Sequence, residues 1–158
     1  MEPWSLDTLA LVFGCGIFGA CLGALWSFIL CGFWIVCGCL VIAAGGSDFV
    51  LMQIGLGPIW GPHVGGFASG VIAATYAAGI RKNHPTGHAK DILSPLVDTS
   101  WDVLAIGGIF ALVGHALAQF LPKIPIIAQF DALALSIFIN FCITRLLFLK
   151  EMPWGNME

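Results

Sequence analysis

The segment from Leu6 to Gly46 carries a single charged side chain, that of Asp7, and every residue from Thr8 onward in it is uncharged. A helix crosses the roughly 30 Å hydrocarbon core of a bilayer with about 20 apolar residues. This run is too long for one crossing and long enough for two. The sequence therefore predicts an integral membrane protein that begins with a pair of apolar helices.

The overall composition agrees with this interpretation. Hydrophobic residues make up 59% of the 158-residue chain and charged residues 9%, whereas in a soluble domain about 25% of the residues are charged. The formal net charge is −3, so the chain offers no basic surface for nucleic acid. We expect the lipid bilayer as a partner, and no nucleic acid.

The order of apolar runs and breaks predicts an all-α, polytopic membrane helix bundle that forms one domain over residues 1–158. Glycines and prolines interrupt the runs, and a capping sequence at Thr99 to Asp102 begins a new helix. The expected elements are about five transmembrane helices and one short broken or re-entrant half-helix. They lie at residues 6–25, 27–44, 49–56 (the half-helix), 64–80, 101–121 and 127–149, with a polar loop at 81–99.

The positions of the basic residues predict the orientation. Arg81, Lys82 and Lys90 lie in the polar loop, and Arg145 and Lys150 follow two crossings later. Short loops rich in Lys and Arg stay on the cytoplasmic side. We therefore expect a multi-pass protein of the plasma membrane, in particular a bacterial inner membrane. Its N-terminus would lie outside, with its C-terminus and the loop 81–99 in the cytoplasm.

The segment from Gly57 to Gly66 is the strongest candidate for a binding or pore region. It has four glycines and two prolines between apolar runs, so it predicts broken backbone at membrane depth or at the interface. Such backbone is tolerated only where protein buries it or a watery cavity adjoins it. We expect free amides at the start of the following helix to attract oxygen atoms. The candidate residues here are Gly57, Trp60, Gly61, His63, Gly65 and Gly66.

An interfacial loop is the alternative for this segment, with Trp60 in the aromatic belt of the membrane. Three polar residues of the last two helices are further candidates, because polar groups within membrane spans are costly. His115 and Asp131 are expected at similar depth and would form a pair, either a proton-carrying one or a structural hydrogen bond. Asn140 lies deeper and allows the same two interpretations.

A row of small residues predicts close helix packing. Gly66, Gly70, Ala74 and Ala78 recur every four residues, which places them on one face of a helix. In lipid, small residues allow helix backbones to approach closely. We interpret this face as a packing surface, with a smooth pore wall as the alternative.

The remaining residue types do not predict a cofactor. The six cysteines contain no Cys-x-x-Cys spacing, so we interpret them as small apolar residues and expect no metal site. Paired carboxylates and nucleophile–base motifs are also absent from the sequence, which argues against an enzyme.

Two functions fit these features. The first is a small channel or facilitative transporter, in a homo-oligomer, whose pathway lies near the Gly57–Gly66 break. Its solute would carry oxygen atoms: a weak acid, a small anion or a neutral amide-like molecule. The alternative is an accessory or structural subunit, without catalytic activity, of a larger membrane complex.

Overall fold

The computed structural model describes residues 1–155 and contains helices but no strand in that range. Five α-helices form the bundle: α1 (Leu6–Leu22), α2 (Ala24–Ala43), α3 (Ala68–Tyr76), α4 (Trp101–Phe120) and α5 (Ala132–Thr144). π-helical turns occupy Val50–Gly55, Ala77–Arg81 and Arg145–Leu149, and 3₁₀ turns occupy Leu121–Lys123 and Ile127–Gln129.

Three helical stretches in residues 1–155, not the expected five, are long and apolar enough to cross a membrane. They are Ala24–Ala43, Trp101–Lys123 and Ala132–Leu149. The first expected helix falls short because α1 ends after 17 residues at Gly23. The third falls short because residues 62–67 form turns, so that α3 begins only at Ala68 and has nine residues before its π-helical end.

The turn between α1 and α2 depends on glycine. Gly23 has φ = +84°, a conformation that side chains with a Cβ rarely adopt. A Cβ at this position would also lie 2.6 Å from the carbonyl oxygen of Ser94. The Leu25 amide donates a hydrogen bond to the carbonyl of Ile92, at 2.9 Å. The polar loop therefore folds back onto the end of the first hairpin.

Small residues bring α1 and α4 into close contact. A Cβ added to Gly16 would lie 2.5 Å from the Ala111 Cβ and 2.6 Å from the Gly107 carbonyl oxygen. A Cβ added to Gly107 would lie 2.8 Å from the Ala20 Cβ, so both glycines are needed for the observed distance between the two backbones. Such proximity increases van der Waals contact, which drives helix association in lipid.

The small residues of α3 and its approach segment also lie at helix contacts. A Cβ on Gly66 would lie 3.0 Å from the Cys31 side chain, and one on Gly70 would lie 2.7 Å from the Ala24 backbone. Ala74 and Ala78 are buried. The row therefore faces protein along its length.

Asp91 organises the polar loop. Its carboxylate accepts hydrogen bonds from the Leu93 amide and from the hydroxyls of Thr86 and Ser94, each at 2.8 Å. These bonds stabilise the charged form and lower the pKa of Asp91 to about 2, the Leu93 amide having the largest effect. At neutral pH the loop is therefore held around an ionised carboxylate.

The two ends of the loop are joined by an ion pair. Arg81 Nε lies 3.0 Å from Asp102 Oδ2, and the Tyr76 hydroxyl donates to the same oxygen at 3.1 Å. Asp102 is in the first turn of α4, whereas Arg81 ends the π-helical turn after α3. This contact ties the start of α4 to the end of α3.

Candidate functional site

The Gly57–Gly66 segment is non-helical backbone that the protein buries. The Gly61 carbonyl accepts hydrogen bonds from the amides of Val64 and Gly66, at 2.9 and 3.0 Å. The Ala68 amide, at the start of α3, donates to the Pro62 carbonyl at 2.9 Å. The expectation of free amides for a solute is therefore wrong for these three groups, because the segment satisfies them itself.

Several of the candidate residues in this segment serve packing. Trp60 is 5% exposed, and its Nε1 donates to the Ser27 carbonyl at 3.2 Å, so it lies inside the bundle rather than in an aromatic belt. A Cβ on Gly61 or Gly65 would lie 2.5 Å from a backbone carbonyl oxygen. Gly66 likewise faces protein. These four residues shape the segment and do not line the cavities described below.

A cavity of about 410 Å³ lies beside the segment, and we call it the histidine cavity. Gly57, His63 and His115 line it. No Asp, Glu, Lys or Arg is among the described residues of its wall. The rest of the wall comes from the N-terminal segment, the Val50–Gly55 turn and the residues after it, the end of α4 with the 3₁₀ turn that follows, and the start of α5: Met1, Pro3, Met52, Gln53, Leu56, Pro58, Ala118, Gln119, Pro122, Ala132 and Leu133.

The two histidines are buried and adjacent. His63 is 2% and His115 1% exposed, and their ring centroids are 6.5 Å apart with an angle of 19° between the planes. His115 Nε2 lies 2.9 Å from the Pro3 carbonyl oxygen. A carbonyl only accepts, so Nε2 is the protonated nitrogen that donates this bond. Neither histidine's Nδ1 has a hydrogen-bond partner within residues 1–155.

The expected pair of His115 and Asp131 does not form. Asp131 is exposed and caps α5, where its Oδ1 accepts from the amides of Leu133 and Ala134 at 2.9 and 3.1 Å. An N-cap carboxylate is held by the free amides of its own helix. His115 instead contacts the N-terminal segment, with the Trp4 ring centroid 5.9 Å from its own.

Asn140 lies behind the histidine cavity, fully buried between α4 and α5. Its Nδ2 donates to the Phe110 carbonyl at 3.2 Å, whereas its Oδ1 is without a partner among the described residues. A Cβ added to Gly114 would lie 3.1 Å from Asn140 Nδ2 and would collide with the His63 carbonyl oxygen. Gly114 thus lets α4 contact both the broken segment and Asn140.

A second cavity, of about 450 Å³, lies at the other end of α3 and α5, and we call it the arginine cavity. Arg145 lines it and forms an ion pair with Glu151, at 2.8 Å. His88 and Lys90 contribute further polar groups from the loop. The remaining wall is mixed apolar and polar: Val71, Thr75, Ala89, Ile92, Phe141, Thr144, Leu149 and Glu151.

The two cavities are separated by a short, partly polar stretch of the bundle. On α5, Leu133 lines the histidine cavity and Phe141 the arginine cavity. A helix rises 1.5 Å per residue, so about 12 Å of α5 lie between them. Ser136 and Asn140 are fully buried within this stretch, and Thr144 continues the same face.

Only part of this site was predicted from the sequence. The sequence pointed to Gly57, His63, His115 and Asn140, which the structure gathers at or behind the histidine cavity. It missed Gly114 and the arginine cavity. The four-residue spacing of Ser136, Asn140 and Thr144 is the one signal that would have revealed a polar face on α5.

The chain belongs to a family of unknown function, DUF7973, whose model matches residues 1–152. No curated protein and no solved structure matches the chain.

Proposed function

We propose that this member of DUF7973 is a small integral membrane channel or facilitative transporter. Its solute is a small oxygen-bearing molecule, and its pathway passes the Gly57–Gly66 segment. The pair of cavities at opposite ends of α3 and α5 is the observation that carries this proposal. A bundle that only held helices together would have no need of two cavities about 12 Å apart in a bilayer about 30 Å thick.

The buried broken segment supports the same function. At membrane depth, each unsatisfied polar group of a non-helical backbone costs roughly several kcal/mol. Such backbone is therefore found beside cavities or buried within protein. Here Gly57 and His63 of the segment line a cavity. The segment therefore has the form of a solute-binding element, which an accessory subunit would not require.

We place the protein in the plasma membrane, of the bacterial inner type, as a multi-pass bundle. The three long apolar helices cross the bilayer, and we propose that α1 and the broken segment with α3 complete five crossings. Arg81, Lys82, Lys90 and Arg145 all lie near the arginine cavity's end of the bundle, which we assign to the cytoplasm. We propose that copies of the chain assemble as a homo-oligomer, because contacts between copies would stabilise so small a bundle in lipid.

Solute flux into liposomes tests the proposal. The full chain is reconstituted in liposomes, and swelling in acetamide is followed by stopped-flow light scattering against liposomes without protein. We expect faster swelling with the wild-type chain. Ala132→Trp should slow it at least about tenfold, because Ala132 lines the histidine cavity and an indole would fill much of it.

Ala134→Trp is the matched control, since Ala134 lies in the same helical turn but is exposed. It should leave flux unchanged. Equal swelling of wild-type and protein-free liposomes over a set of small polar solutes would refute the channel and favour the accessory subunit.

A further inference from the structure

His115 lines the histidine cavity and has one ring nitrogen, Nδ1, that is buried and without a partner among the described residues. Its Nε2 holds the ring proton, which it donates to the Pro3 carbonyl. In the neutral ring the other nitrogen, Nδ1, then carries a lone pair and can only accept. No group within residues 1–155 donates to it. A ligand that reaches this nitrogen must therefore bring a donor.

Asn140 has a second buried acceptor, and it lies on α5 between the residues that line the two cavities. Its amide nitrogen is engaged by the Phe110 carbonyl, which fixes the carboxamide and identifies Oδ1 as the free oxygen. That oxygen is buried and is without a donor in the part of the chain that the structure describes. Buried acceptors left in this state are rare in native proteins and call for an explanation.

The wall of the histidine cavity argues against an anion. Lys and Arg are absent from its described lining, and the amides of Val64, Gly66 and Ala68 are used within the broken segment. A bare carboxylate entering here would lose its hydration without gaining a cation, which is costly. A neutral molecule loses much less.

From these contacts, and on the premise of the proposed function, we infer that the solute is a neutral hydrogen-bond donor of the amide class. Its N–H groups bind in turn to His115 Nδ1 and to Asn140 Oδ1. The side chains of Gln53 and Gln119, which line the same cavity, offer amide donors for the carbonyl oxygen of such a solute. Asn140 is thus a specificity-determining residue of the pathway.

Three isomeric amides of formula C₃H₇NO provide a test at constant atom count. Propionamide has two N–H donors, N-methylacetamide has one and N,N-dimethylformamide has none. The wild-type chain in liposomes is exposed to each, and the protein-dependent swelling rate is obtained by subtracting that of protein-free liposomes. We expect N,N-dimethylformamide to be slower than both amides that carry an N–H, by about tenfold for each acceptor that it leaves without a donor.

Two further measurements sharpen the test. Propionate matches propionamide in shape but offers only acceptors when ionised, and we expect no protein-dependent flux for it at neutral pH. Asn140→Val should lower propionamide flux about tenfold, so that the ratio of propionamide flux to N,N-dimethylformamide flux falls.

Equal protein-dependent rates for the three isomers would overturn the inference and leave the channel standing, as would faster flux of propionate than of propionamide. Absence of protein-dependent flux for all of these solutes, with the chain folded in the liposomes, would overturn the channel and the inference together.

Discussion

Replacing Asn140 by valine should make the protein slightly more stable while impairing flux. The change removes the hydrogen bond from Asn140 Nδ2 to the Phe110 carbonyl, 3.2 Å long, which is worth about 0.5–1.5 kcal/mol. It also removes the buried Oδ1, for which no donor exists among residues 1–155 and whose burial costs about 1–3 kcal/mol. Valine and asparagine have similar helix propensities.

The balance is a gain of about 1 kcal/mol in the free energy of unfolding, or a rise of about 2–4 °C in Tm for a chain of this size. Thermal unfolding in mild detergent, followed by far-UV circular dichroism, measures it. Gains of this kind accompanied by lost activity are typical of residues kept for function.

Ser136→Ala serves as the control for this measurement. Ser136 is equally buried on the same face of α5, but its hydroxyl already donates to the Leu133 carbonyl at 2.7 Å. The loss of that bond is offset by the higher helix propensity of alanine, so we expect a change below about 0.5 kcal/mol. A loss of more than about 2 kcal/mol in Asn140→Val would refute the reasoning, because it would make Asn140 a structural link between α4 and α5.

Other parts of the structure yield further predictions. Gly16→Ala should be about 1–3 kcal/mol less stable than Gly14→Ala in detergent unfolding, because both gain helix propensity but only the Cβ at position 16 meets α4, and equal stabilities would contradict the packing. Trp60→Phe should lose about 1 kcal/mol by leaving the Ser27 carbonyl without its indole donor; an unchanged Tm would count against that bond. The pKa of Asp91 is about 2 in the folded loop against 3.8 ordinarily, so its stabilising effect is full above about pH 4 and is lost as the pH falls toward 2. Peptic cleavage of loop 81–99 at pH 4 and at pH 2, each measured relative to cleavage of an unstructured peptide, should show that loss in the wild type and no such pH dependence in Asp91→Asn.

Some features of the fold could be predicted from the sequence because they depend on local composition. The helix that begins at Trp101 was predicted at its observed start, and the polar loop and the Gly57–Gly66 break lie where charge, glycine and proline indicate. The predicted number of long helices was wrong because apolar composition does not reveal where the backbone hydrogen bonds depart from the α-helical pattern. Residues 64–67 are apolar enough for a span, yet they form turns.

The candidate site was only partly predictable because side-chain partners depend on how helices are rotated and on which alternative bond is nearer. Asp131 was expected to reach across to His115, but the amides of its own helix are closer and hold it. His115 could not be paired with Pro3 from the sequence, since the two are far apart along the chain.

By itself, the sequence determined that most of this chain is apolar helix suited to lipid, because hydropathy and helix-breaking residues act over a few turns. Only the tertiary structure decided that the His63 carbonyl and the Asn140 side chain both pack against Gly114, and that cavities lie on either side of this contact. The reason is geometric: a cavity is a property of surfaces from different helices, and their separation is determined by contacts between residues distant in the chain.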